Sequence, residues 1–221
     1  MFSFLTEEEI RLRLSQIEDN QERKIVLSDY LIESNPAKNQ SLYADFRNSI
    51  RPAAVLVPLL KADNEWHLLF IRRAEAALDL HSGQVAFPGG GSENHENAFE
   101  TALREANEEI GLQANDVEIL GELIPIQTIS GYIITPVVSV IPYPYPFKPA
   151  ASEVSEIFII PLSWLADSRH YEERDVLLEI PFQGTMRQEP LRVIYYVPYQ
   201  GKTLWGASAR IVHQLLAKLK L

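Results

Sequence analysis

The stretch GGSENHENAFETALREANEEIGL, Gly90 to Leu112, constrains the chain more than any other. Apolar residues at 98, 99, 102, 103, 106 and 110 mark one face of a helix, and Gly111 stands where a left-handed C′ residue would end it. The charge on this helix works against it. Glu105, Glu108 and Glu109 stand at i, i+3 and i+4, where like charges repel. They also crowd the C-terminal turns, where the helix dipole disfavours anions. Arg104 is the one base close by, and small Ala98 and Ala102 share the side of Glu105 and Glu109, leaving room for something to approach. A solvated acidic helix end is one account of the pattern. A divalent cation would relieve the repulsion.

The rest of the chain frames this helix. Residues 6–18 read as a helix, with Thr6 and Glu9 at capping-box spacing and Ile10, Leu14 and Ile17 as its apolar stripe. Residues 19–50 are polar apart from a patch at 25–32, so 1–50 read as an N-terminal helical extension and 51–221 as the main domain. The core begins at AAVLVPLL (53–60), a run typical of a buried strand, with an Asp63-Asn64 turn and a partner strand at 66–73. Further strands are expected at 117–126, 132–141, 156–160 and 191–197, and short helices at 162–166 and 207–219. Strands outnumber helices without regular alternation, which favours a mixed α/β layer over a doubly wound sheet. The tract IPYPYPFKP (141–149) reads either as a polyproline ligand or as a stiff aromatic loop between strands.

Charge limits the partners. Thirty acidic against twenty basic residues give a net charge of −10 and a pI near 5.0, so nucleic acid is a poor partner. The absence of cysteine excludes disulfides, thiolate metal sites and cysteine nucleophiles. The histidines at 67, 81, 95, 170 and 213 lack helical ligand spacing, which argues against zinc. No basic n-region opens the chain, and no apolar run approaches the ~20 residues of a membrane span, so a cytoplasmic protein with no membrane partner is expected.

Gly90, then Glu96, then Arg104-Glu105-Ala106-Asn107-Glu108-Glu109-Ile110-Gly111-Leu112 reproduce the spacing of the Nudix box, with Ala106 a mild departure where a larger aliphatic is usual. The chain therefore resembles the Nudix hydrolases. The resemblance implies an α/β/α sandwich around a mixed β-sheet and Mg²⁺- or Mn²⁺-dependent hydrolysis of a nucleoside diphosphate linked to another group. Carried over by position, Glu105 and Glu109 are implied as metal ligands and Glu108 as a further ligand or base. Arg104 is implied as the residue that orients the glutamates, through Glu96, and Glu93 fits the acid often seen in the family's loop. Gly90 is implied as a carbonyl ligand beside the metal, while Gly89 and Gly111 shape the loops. Oxygen ligands suit Mg²⁺ independently of the resemblance. A cation between protein and substrate would also let an acidic chain bind a small polyanion.

Glu153 and Glu156, ahead of a strand, are candidates for the general base. The segments RPAAVLVPLL, HLLFIRR and LDLHSGQVAFPGG, with the later TLWGASARIVHQLL, resemble the coenzyme A pyrophosphatase branch over about residues 50 to 219. That branch implies coenzyme A or an acyl derivative as substrate, with Arg72, Arg73 and Gln84 as binding candidates. Asp79 departs from it by standing where an arginine is usual, and the spacing from Arg73 to Gly83 is one residue long. ADP-ribose, a dinucleoside polyphosphate and a non-catalytic nucleotide-binding module are the alternatives. The N-terminal extension and the Pro/Tyr tract are equally open as a homodimer interface or as a cover over the sheet.

Overall fold

A computed structural model describes residues 5–15, 51–75, 83–128, 131–182 and 185–221. The N-terminal helix α1 (Glu7–Ser15) carries its capping box: the Glu9 N–H donates to Thr6 Oγ1 at 3.1 Å and the Thr6 N–H to Glu9 Oε2 at 2.7 Å. The expected helical residues 16–18, the apolar patch at 25–32, Asp79 and His81 all lie outside the described residues.

Two long strands, β1 (Arg51–Ala62) and β2 (Glu65–Arg73), form the expected hairpin, with Asp63 and Asn64 at φ 50° and 62°. Positive φ at both central residues suits a two-residue turn that follows the twist of its strands. Short strands β3 (Val85–Ala86) and β4 (Gly89–Gly91) follow, then helix α2 (Ala98–Ile110). The single strand expected at 117–126 is divided into β5 (Glu118–Glu122) and β6 (Ile126–Gln127). Strand β7 (Tyr132–Val140), strand β8 (Val154–Pro161) and a short helix α3 (Leu162–Ala166) come next.

β1 lies in the middle of a mixed sheet, antiparallel to β2 and β4 and parallel to β7, while β8 adds to the far side of β2. Period-2 alternation sends side chains to opposite faces. Leu56, Leu60, Leu69 and Ile71 join Ala102, Ala106 and Ile110 of α2 in one cluster. Val57, Leu59, Leu68 and Phe70 join a second cluster, which takes in Ile10 and Leu14 of α1, Leu162 and Leu165 of α3, and the C-terminal helix α4 (Gly206–Leu219). Helices thus cover both faces of the sheet, giving the α/β/α layering expected of the chain.

One element was not legible. Strand β9 (Tyr171–Phe182) pairs along its whole length with β10 (Thr185–Tyr196), forming a separate two-stranded ribbon. Its opening run, Tyr171-Glu172-Glu173-Arg174-Asp175, is too charged to read as a strand, and Glu172, Glu173, Arg174 and Asp175 are all exposed. Among the described residues no helix is long and apolar enough to cross a membrane.

Candidate active site

Three pieces converge at one end of the α2 face: the β4 loop, the last turns of α2, and the segment that enters β8. Helix α2 starts on a capping box, with the Glu100 N–H donating to Asn97 Oδ1 at 3.0 Å and the Asn97 N–H to Glu100 Oε2 at 2.8 Å. It ends at Gly111, left-handed at φ 70°, whose N–H donates to the Asn107 carbonyl while the Leu112 N–H reaches Ala106 O. The 5→1 bond from a left-handed glycine is the αL type of helix end, which satisfies one of the helix's last carbonyls. One expected apolar position differs: Phe99 stays 37% exposed, and buried Thr101 faces inward in its place.

Gly89 and Gly90 pair with Val55 and Ala54 of β1, which brings the loop under the helix. A Cβ on Gly89 would lie 2.4 Å from Ala54 O, and one on Gly90 would lie 2.5 Å from Glu105 Oε1. The second close approach belongs to the site itself. It seats the Glu105 carboxylate directly against the Gly90 backbone.

Arg104 organises the acids around it. Its Nε and Nη2 grip both oxygens of Glu96 at 2.7 and 3.0 Å, Nη2 also reaches Gly91 O at 2.9 Å, and Nη1 reaches Glu105 Oε1 at 2.8 Å and Glu108 Oε2 at 3.1 Å. The Arg104 hydrogen bonds, with help from the Glu93 N–H at 2.9 Å, hold the Glu96 carboxyl down to a pKa of about 2. Thr101, fully buried, donates to Glu96 Oε2 at 3.1 Å, and its hydroxyl lies 3.0 Å from that of Ser92. The sequence reading missed Thr101 and Ser92. A hydroxyl on the buried face of an otherwise apolar helix was the available signal.

Glu109 is 1% exposed, and its Oε2 accepts the Gly89 N–H at 2.9 Å. Burial pushes its carboxyl up from 4.5 to about 7, against the Gly89 hydrogen bond and the nearby Arg73, whose Nη1 is 3.7 Å from Glu109 Oε1. Burial likewise raises Glu105, and the negative charge of Glu153 adds to the upward push on both. Two desolvated carboxylates beside a third acid are costly without a cation. Glu108, with a side chain 56% exposed, stands at the outer edge.

The remaining candidates separate. Ser155 is an extra residue where Arg72 pairs with Glu156 but Arg73 pairs with Val154, and its hydroxyl donates to Arg72 O at 3.0 Å with Arg73 O 3.3 Å away. Alternation along the strands leaves Arg73 on the α2 face with Ile71, and puts Arg72 and Glu156 on the other face with Phe70 and Phe158. There Lys202 Nζ sits 2.9 Å from Glu156 Oε1 and over the Phe158 ring, and Arg72 Nε donates to Gly83 O at 3.3 Å. Sequence reasoning grouped Arg72 with Arg73 and Glu156 with Glu153; strand alternation parts the two arginines, and Glu156 lies opposite Arg72 while Glu153 stands ahead of the strand. Exposed Glu153 stays with the α2 acids, and Gln84 accepts the Arg73 N–H through its carbonyl at 3.0 Å.

The donor chemistry fits a hard divalent cation: carboxylate and carbonyl oxygens only, on a wall that burial makes reluctant to carry bare charge. Among the described residues no three carboxylate or imidazole side chains already form a finished ligand set. Arg104 holds Glu105 and the Gly89 N–H holds Glu109.

Comparison with known proteins finds relatives over most of the chain. The NUDIX domain family matches residues 50–179. The Nudix hydrolase NudL of Pectobacterium atrosepticum is 39% identical over 171 residues, covering 76% of this chain and 83% of that protein. NudL of Photorhabdus laumondii is 36% identical, covering 77% and 86%. Among solved structures, a MutT/nudix family protein from Enterococcus faecalis covers 98% of this chain and 75% of its own at 13% identity and a TM-score of 0.48. With a matched domain spanning more than half of the chain and relatives aligned over most of their length, the chain belongs to the Nudix hydrolases, enzymes that cleave phosphate anhydrides.

Proposed function

We propose that the chain hydrolyses the diphosphate linkage of coenzyme A or an acyl-coenzyme A, with Mg²⁺ or Mn²⁺, to phosphopantetheine and adenosine 3′,5′-bisphosphate. The observation that carries the metal-dependent part is the pair of desolvated carboxylates, Glu105 and Glu109, packed against the Gly89-Gly90 backbone. Glu105, Glu109, Glu108 and the Gly90 carbonyl are the groups that would hold the cation. Bound there, it would neutralise the diphosphate and acidify the attacking water.

The chain's own residues do the rest. Arg104 fixes Glu105 and Glu108 by a guanidinium that is itself clamped on Glu96, so the carboxylates are preorganised rather than mobile. Glu153, beside them and open to solvent, takes the proton of the water that attacks phosphorus as the P–O bond of the anhydride breaks. Arg73 offers its guanidinium to a phosphate oxygen from the same face. The coenzyme A preference rests on the sequence segments flanking the box. Residues 51–221 form the catalytic domain in this reading, and 1–50 its extension.

The test is product analysis of the purified chain with Mn²⁺ on coenzyme A, acetyl-coenzyme A, ADP-ribose and a dinucleoside polyphosphate. The expected result is phosphopantetheine from coenzyme A at the highest kcat/KM of the panel. Intact coenzyme A beside cleaved ADP-ribose would overturn the substrate and leave the metal-dependent chemistry standing.

A further inference from the structure

The Pro/Tyr tract lies between β7 and β8, and its backbone runs past the C-terminal end of α2. The Lys148 N–H donates to Ile110 O at 2.9 Å and the Ala150 N–H to Glu109 O at 2.9 Å. These are carbonyls that a helix end leaves without intrahelical partners. Ala150 O in turn accepts the N–H groups of Glu153 and Val154, each at 2.8 Å. A single residue, Ala150, therefore ties the backbone of Glu109 to the backbone of Glu153.

The tract is anchored further along by Tyr145. Its hydroxyl accepts the Gln113 N–H at 3.1 Å and donates to Asp116 Oδ2 at 2.8 Å. The rings of Tyr145 and Phe147, 5.0 Å apart, pack against the cluster beneath α2. Gly111 makes room for this arrangement: a Cβ there would lie 3.0 Å from Lys148 Cβ, and its φ of 70° already favours glycine. The anchors all lie on the end of α2 or on the segment just after it.

We propose that residues 141–150 are a positioning strap that fixes Glu153 relative to the metal-binding end of α2, with Tyr145 as its anchor. The strap rests on the reading of Glu153 as the group that takes the water's proton. A stiff, proline-rich connection suits the task, because a base misplaced by an ångström loses on the order of a hundredfold in rate. The prolines also restrict φ, so less conformational entropy is lost when the strap seats.

The test is a double-mutant cycle on the full chain with Mn²⁺ and the diphosphate it cleaves best. Tyr145→Phe should lower kcat about tenfold while KM changes less than about twofold and the melting curve stays close to that of the parent. Glu153→Gln should lower kcat at least as far, and adding Tyr145→Phe to it should cost nothing more. Asp116→Asn, which keeps an acceptor for the Tyr145 hydroxyl, should retain kcat; Asp116→Ala should reproduce Tyr145→Phe. Additive losses, or a Tyr145→Phe enzyme at full speed beside a slow Glu153→Gln, would overturn the strap alone. A Glu153→Gln enzyme at full speed would overturn the role of Glu153 and the strap with it. Should Tyr145→Phe fail to fold, Asp116→Ala carries the same cycle from the exposed side of the anchor.

Discussion

Glu109 carries the sharpest conflict between stability and chemistry in the chain. Its carboxyl sits at about 7 in the folded protein against an ordinary 4.5, because burial penalises the charge. The folded state then holds the proton more tightly than the unfolded one, so the associated stability is fully present below about pH 4.5 and is lost as pH rises through about 7. In metal-free protein, Glu109→Gln should therefore be the more stable form near pH 8, by roughly 2–3 kcal/mol, and the difference should vanish near pH 4. Thermal melts at both pH values in chelator check this, and parallel curves for the two proteins would contradict it. Gly90→Ala tests the opposite combination. The new Cβ would meet the Glu105 carboxylate, the far end of a flexible side chain, rather than backbone. Stability should change by less than about 1 kcal/mol, while kcat falls by about a hundredfold or more through the displaced ligand. Steady-state rates alongside melts decide it. Box spacing made Glu105, Glu109, Arg104 and Gly90 legible in the sequence. Thr101 was not, because a buried hydroxyl on an apolar face looks like any helix threonine until its partners are known.

Helix α2 delivers Arg104, Glu105 and Glu109 as one rigid unit, and its C-terminal end at Gly111 could be read from sequence. Asn97 and Glu100 were not singled out in advance, yet they form its N-terminal box. Asn97→Ala should cost about 0.5–2 kcal/mol of stability, measured as a lower denaturation midpoint, with kcat nearly unchanged because the cap lies two turns from Glu105. A large kcat loss at unchanged stability would mean that the cap also sets the catalytic geometry. The edge between β2 and β8 shows where sequence reading fails. Alternation within each strand does not fix the pairing between strands, and the extra residue Ser155 shifts it so that Arg72 meets Glu156 but Arg73 meets Val154. Glu156 lies with Lys202 on the face opposite α2, while Glu153, ahead of the strand, stays beside the α2 acids. Bulges depend on pairing partners distant in the chain, here residues about 80 positions apart, so local pattern does not reveal them. Strand β9 was missed for a related reason: its charged residues are exposed on a ribbon, where burial imposes no alternation.

Across the whole molecule, the sheet depends on a layer at each face. α1 belongs to the face opposite α2: Ile10 and Leu14 are fully or almost fully buried, the Trp66 indole N–H donates to Leu5 O, and Arg13 reaches Leu219 O. Ile10→Ala should therefore destabilise the whole domain by about 2–5 kcal/mol, as a core cavity does. A melt within about 0.5 kcal/mol of the parent would show that α1 is dispensable to the core. The net charge of −10 looks different in this setting. In the proposed reading, part of it is Glu105, Glu108 and Glu109 holding a cation, which would turn an apparent repulsion of phosphate into a means of binding it. Calorimetric titration of Mn²⁺ into the metal-free chain, beside Glu109→Gln, measures this directly. The expected result is binding with proton release near neutral pH for the parent, and binding weakened at least about tenfold for the variant. Equal Mn²⁺ affinity in both proteins, or none in the parent, would contradict the account.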